Sequence, residues 1–156
     1  MGQIEQRLSS LSVTLPTPPP KAGLYKQSCE FGGNLLCVSG CGPDLPGMPS
    51  EKGRLGELTV AQGREAARRC MLNALAIMQR DLGTLDRVAR VVKMLAFVSS
   101  APDFYDQPMV ANGASELLTE VFGEKIGCPT RSAIGTNVLP GNIPVEIELM
   151  VELKAD

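Results

Sequence analysis

VARVVKMLAFVS, residues 88–99, is the stretch whose reading decides the fold. Successive side chains of a strand point to opposite faces. Between Val91 and Val98 both alternating sets are apolar, and Lys93 is the one charge among them. Such a run belongs to a central strand covered on both sides. Ala101-Pro102-Asp103 ends it.

Upstream lies Thr59-Val60-Ala61-Gln62, a T-x-x-Q capping box that opens a helix. Apolar or small residues then recur with helical period at Val60, Gly63, Ala67, Cys70, Ala74, Met78 and Leu82. Gly83 supplies a stop, so the helix is expected over 59–82, and Thr84 to Arg87 makes a brief helical turn. Ala66, Ala67 and Ala74 are small enough for close approach to a sheet. Downstream, Pro108 stands at a first helical position and Gly123 follows the end, giving a second helix over 108–122. Gly113 inside it costs roughly 1 kcal/mol relative to Ala, which points to close packing there. Residues 130–138 and 144–153 are two more strands, the last with Val145, Ile147, Leu149, Val151 and Leu153 on one face and Glu146, Glu148, Met150 and Glu152 on the other.

Further upstream, residues 24–31 and 34–39 are apolar-rich runs around Gly32-Gly33, a hairpin pattern. Residues 40–58 are rich in Gly and Pro and form a loop long enough to serve a function. Residues 1–20 end in LPTPPP, with Ile4 to Leu11 ahead of it able to form one helical turn or two, and are expected to be an arm on the surface or on a neighbouring subunit, ahead of a single domain over 21–156. The order β-β-α-β-α-β-β is an α+β domain with two helices on one face of a mixed sheet. Only two helices are available for a strand that is apolar on both faces. A neighbouring subunit is the expected cover for the other face, hence a homo-oligomer.

The 156 residues suit one domain, with 44% apolar and 21% charged residues. Fifteen basic against 17 acidic residues give a net charge of -2, unlike a domain that works by neutralising phosphates. Histidine is absent, which excludes a Ser-His-Asp triad, a Cys-His pair and any His-ligated metal. No stretch approaches a membrane span and no signal peptide is apparent. The five cysteines, Cys29, Cys37, Cys41, Cys70 and Cys128, lack C-x-x-C spacing. They read as reduced core thiols of a cytoplasmic protein, with no metal site.

Several residues could carry chemistry. Arg131, entering a strand after Pro129, offers a planar fork for a carboxylate, or is simply a surface or ion-paired Arg. Glu148 is one acid of an alternating strand face, either solvated or turned into a cleft to deprotonate water. Tyr25 is a core aromatic or a ligand contact, and Ser39-Gly40 is a turn or a place where backbone approaches a ligand.

In order along the chain stand Gly23-Leu24-Tyr25-Lys26-Gln27, Leu36-Cys37-Val38-Ser39-Gly40, Leu85-Asp86-Arg87-Val88, Pro129-Thr130-Arg131-Ser132 and Val145-Glu146-Ile147-Glu148. Over about residues 22–153 this set resembles the reactive intermediate deaminase family (RidA, YjgF or L-PSP). The resemblance implies a chorismate-mutase-like α+β fold and a homotrimer with a site in each cleft between subunits. It implies hydrolysis of enamines and imines such as 2-aminoacrylate to a 2-keto acid and ammonia, with no cofactor. It places the carboxylate-binding role on Arg131 and the water-positioning role on Glu148. Tyr25, Ser39, Gly40, Ser132 and Ala133 fall at substrate-binding positions, and Asn112 or Ser115 matches a helix Asn. Ala133 stands where many deaminase members have Cys. The rival expectations are a non-catalytic trimer that binds small carboxylates or senses metabolites, and a ribonuclease or translation inhibitor. The latter is opposed by the lack of His, Trp and a basic stripe.

Overall fold

The computed structural model describes residues 2–155. Thr59 caps the long helix α2 (Val60–Leu82): its hydroxyl accepts from the Gln62 N–H at 3.2 Å, and Oε1 of Gln62 accepts from the Thr59 N–H at 2.8 Å. Gly83, at φ 78°, ends it. Gly63, Ala66, Ala67 and Ala74 are buried along α2 and leave room for its neighbours. One of these is α3 (Gln107–Phe122). A Cβ on Gly113 of α3 would lie 2.0 Å from the Arg64 carbonyl oxygen, so the close packing expected at this glycine is a backbone-to-backbone approach of the two helices.

The strands are β1 (Ser28–Phe31), β2 (Leu35–Cys41), β3 (Val88–Ser99), β4 (Thr130–Thr136) and β5 (Val145–Leu153). They form one sheet in the order β1-β2-β5-β3-β4, with β4 parallel to β3 and the other neighbours antiparallel. Met94, Ala96 and Val98 of β3 lie with Val145, Ile147 and Leu149 of β5 in the core beneath α2 and α3. This is an α+β architecture with helices on one face of a mixed five-stranded sheet, as the resemblance implies. The opposite face carries Leu95 and Phe97 of β3, Ile134 of β4 and Met150 of β5, half-buried or exposed, with Lys93, Glu146 and Glu148 among them.

Several details differ from the sequence reading. The first strand begins at Ser28 rather than residue 24: Ser28 is the first residue to pair with β2, opposite Val38, and Leu24 is fully exposed. Its turn uses Gly32 and Gly33 at φ 60° and 87°, a conformation glycine adopts without Cβ strain. The second strand runs on to Cys41 through a bulge. The helical turns expected over residues 4–11 are present, as α1 (Gln3–Ser10), and of the two alternatives for the arm this helix takes the surface of its own chain. The Asp86 carboxylate accepts from the backbone N–H groups of Gln3 and Ile4, each at 2.8 Å, and Leu8 joins the core. Only Cys41 and Cys70 are buried thiols; Cys37 is half-buried, and Cys29 and Cys128 are exposed because they fall at a strand edge and in a connection. All five are free. A short helix, α4 (Glu124–Gly127), precedes β4. Among the described residues no helix is long and apolar enough to cross a membrane.

Candidate functional site

Val38 pairs with Leu149 and Cys41 with Ile147, so two residues of β2, Ser39 and Gly40, face the single residue Glu148 of β5. This is a β-bulge, a device that re-aims side chains. Beside it opens a crevice of about 730 Å³, lined by Tyr25, Ser39, Gly40, Asn73, Ile143 and Glu146 among others. Its floor is held from α2. The Asn73 side-chain amide donates to the carbonyls of Gly42 and Asp44, both at 2.9 Å, and so fixes the start of the long loop. Asp44 closes that loop by accepting from the Ser50 N–H and hydroxyl, each at 2.7 Å, and from Lys52 at 2.6 Å. The Ser39 hydroxyl is committed to the Lys26 carbonyl at 2.6 Å, which ties the Tyr25 segment to β2.

Glu146 brings a carboxyl group into the crevice. Its carboxyl is half-buried, and that burial, with the negative charge of Glu148 two residues along the same strand face, raises its pKa above the ordinary glutamate value. A Cβ on Gly40 would lie 2.2 Å from Oε1 of Glu146. The glycine is therefore the space this carboxylate occupies. Cys41 lines the same crevice, but burial and the charge of Glu146 push its thiol up to about 12, so it stays protonated and a poor nucleophile.

Arg131 lies elsewhere on the chain. On β4 it pairs with Met94, so its side chain rises on the helix side of the sheet edge. There its guanidinium donates to Asn112 Oδ1 at 2.8 Å, Ser115 Oγ at 3.0 Å and the Pro108 carbonyl at 3.3 Å. These three partners are neutral, so they orient the fork without cancelling its charge. Asn112 and Ser115, the two alternative helix matches, thus both hold the same Arg. Ser132 pairs with Leu95 and takes the open face, and Ala133 pairs with Ala96 and packs toward the core.

The structure brings Tyr25, Ser39 and Gly40 together, and separately Arg131 with Asn112. Glu148 does not line the crevice: it is exposed on the open face and lines a second, smaller hollow with Cys37, Ser39, Lys93 and Leu95, so Ser39 borders both. Period-2 alternation puts Glu146 and Glu148 on one face, and only the bulge distinguishes them. Arg131 and Glu148 do not meet within one chain, since β3 lies between their strands and their side chains take opposite faces. Among the described residues no three His, Cys, Asp or Glu side chains gather as metal ligands.

Comparison with known proteins agrees with the fold. A protein named TCP17 from Trypanosoma cruzi is 44% identical over 97% of this chain and 95% of its own length. The crystal structure of Atu1372 from Agrobacterium tumefaciens, a protein of unknown function, superposes with a TM-score of 0.87 at 40% identity, covering 97% of this chain and 92% of that one. A 2-iminobutanoate/2-iminopropanoate deaminase from Dermatophagoides farinae is 25% identical over 91% of this chain and 95% of its own. A family model described as "YjgF/chorismate mutase-like, putative endoribonuclease" matches residues 5–153, and the chain belongs to that family.

Proposed function

We propose that the chain hydrolyses small 2-imino acids and their enamine tautomers, such as 2-aminoacrylate, to 2-keto acids and ammonia. The single observation that carries this reading is the half-buried Glu146 carboxyl, with its raised pKa, set against Gly40 in an open crevice. A general base works best when its pKa approaches the operating pH. Support also comes from the relative named as an imine deaminase.

Each step needs little equipment. The imine tautomer is already electrophilic at its C2 carbon. With the imine protonated on nitrogen, Glu146 takes a proton from a water as the oxygen bonds to that carbon and the C=N pair moves to nitrogen, giving a carbinolamine that carries both OH and NH₂. Glu146 returns its proton to nitrogen, then takes the hydroxyl proton as the carbonyl forms, and ammonia leaves with the C–N bonding pair. A guanidinium holding the substrate carboxylate makes the attack effectively intramolecular. Arg131 suits that task because its partners are neutral and a bidentate pair with a carboxylate is still open to it. In one chain Arg131 stands outside the Glu146 crevice. The reading therefore includes a homotrimer in which the uncovered sheet faces meet and the neighbour's copy of Arg131 completes each crevice. Glu146 then has the water-handling role, with Glu148 as its charged neighbour.

The experiment is keto-acid release from 2-aminoacrylate generated in situ, with Arg131→Ala and Glu146→Gln as controls, on protein sized in solution. Acceleration by the wild type, loss in both variants and a particle of three times the 16.6 kDa chain mass are expected. A wild type indistinguishable from buffer, or a stable monomer, refutes the reading. Saturable binding of 2-keto acids without turnover would make the protein a carboxylate binder instead.

A further inference from the structure

Pro19, Pro20, Ala22 and Tyr25 form one wall of the Glu146 crevice. Proline offers no N–H, so the run Pro18-Pro19-Pro20 cannot hold itself by backbone hydrogen bonds and favours an extended form. Among the described residues, two hydrogen bonds involve residues 16–22. The Ala22 N–H donates to the Tyr25 hydroxyl at 3.5 Å, which stays inside the same segment. The other comes from Gln27, whose Nε2 donates to the Pro19 carbonyl at 2.8 Å.

Gln27 is a polar residue only 6% exposed, and both ends of its amide are used. Its Oε1 accepts from Arg80 Nη1 of α2 at 2.9 Å. Arg80 is fixed by Asp81 through two bonds of 2.7 and 2.9 Å, and Asp81 accepts from the Ser28 hydroxyl at 2.5 Å. The Gln27 carbonyl accepts from the Ser39 N–H at 2.9 Å, next to the bulge at Gly40. A rigid chain of contacts therefore runs from α2 through one amide to the polyproline segment.

We infer that Gln27 is a positioning residue that clamps the polyproline wall across the crevice from Glu146, so that the wall packs against the side chain of a bound substrate. This rests on the imine-hydrolase reading for its catalytic consequence, but the clamp itself does not. The wall touches only substrates large enough to reach it. A methyl group on the reacting carbon leaves the wall untouched, whereas a branched side chain leans on it.

Gln27→Glu tests this. It keeps the residue's length and an acceptor for Arg80, and it sets a carboxylate oxygen against the Pro19 carbonyl in place of the donor, so that contact becomes repulsive. Gln27→Met removes both polar contacts at similar size and serves as the second variant. Imines of alanine and leucine, made in situ by an amino-acid oxidase, supply a small and a branched substrate. The expected result is that Gln27→Glu changes the leucine-to-alanine ratio of kcat/KM about tenfold, the scale of one hydrogen bond, through KM, with kcat on the alanine imine unchanged. Trypsin cleavage after Lys21 should quicken about tenfold in both variants, because the protease needs the segment released from the body of the protein. An unchanged ratio alongside faster cleavage overturns the substrate-packing role. Unchanged cleavage overturns the clamp, and does so even if the wild type turns over neither imine, which would instead sink the hydrolase reading.

Discussion

Replacing Gly40 with alanine is the sharpest probe of the crevice. The added Cβ would lie 2.2 Å from Oε1, 2.9 Å from Cδ and 3.1 Å from Cγ of Glu146. Real carbon–oxygen contacts need about 1 Å more room, since van der Waals optima lie at roughly 3.5–4.0 Å between carbons. The backbone of β2 is fixed by pairing with β5, whereas the Glu146 carboxylate is the free end of a flexible side chain. The carboxylate therefore moves. The fold loses little, because a half-exposed side chain can swing without opening a core cavity. Catalysis loses much, because a displacement of about 1 Å in a reacting group costs on the order of 10²-fold in rate. That is about 2.7 kcal/mol of barrier. The assay is the initial rate of keto-acid release from 2-aminoacrylate, read beside the thermal midpoint of the same preparation. A variant that keeps the wild-type rate with an unshifted midpoint refutes the placement of the water-activating carboxylate at Glu146.

Other perturbations follow from the same geometry. Arg131→Ala should lower kcat/KM by about 10²-fold or more, and Arg131→Lys should not restore it, because an ammonium lacks the planar fork; steady-state kinetics with a circular-dichroism control reads this. Gly113→Ala should lower stability even though it improves helix propensity by about 1 kcal/mol. The new Cβ meets the Arg64 carbonyl at 2.0 Å, and such overpacking costs about 1–3 kcal/mol, a midpoint fall of a few degrees in a thermal melt. Glu148→Gln should move the acid limb of the pH–rate profile downward, because it removes the negative neighbour that helps raise Glu146. For Glu146 the folded pKa lies above the unfolded one, so its favourable term is present in acid and lost as pH rises through the folded value. Glu146→Gln should accordingly be more stable than wild type at pH 7, and melts across pH would show the gap closing in acid.

What was legible in the chain was what is decided locally. The capping box at Thr59 and Gln62 and the stop at Gly83 mark α2 within a few residues, because the contacts that end a helix lie within one turn of it. The apolar run of β3 announces an interior strand, and β5 and β4 do flank it in the sheet; its core face is covered by the helices, while Leu95 and Phe97 on the other face stay half-buried within one chain. What was hidden depends on partners far along the chain. The docking of α1 rests on Asp86, 82 and 83 residues away from its N–H partners, and nothing in residues 3–10 names that carboxylate. The exposure of two cysteines has a related cause: Cys128 follows Ile126 and Gly127 in sequence but lies in a connection, and Cys29, between Ser28 and Glu30, lies on the edge strand β1, and neither is covered there.

The choice between Glu146 and Glu148 belongs to the same class. A strand of period two cannot rank two acids on one face, because each is related to the other by a whole repeat. Ranking them needs the partner strand, and there the extra residue at Ser39-Gly40 breaks the repeat. The bulge sets Glu148 opposite the distorted pair, and the next acid along, Glu146, fills the space where Gly40 has no side chain. A glycine in the interior of a pairing strand weakens it, so its presence at position 40 calls for a neighbour that needs the room. That signal was readable in the residues as Ser39-Gly40, but it identifies its carboxylate only once the register of β2 against β5 is known. On the proposed reading the site is therefore specified by a mismatch between two strands more than by either strand alone, and a change restoring regular pairing there, such as deletion of Ser39, should abolish turnover while leaving α2, α3 and the rest of the sheet in place.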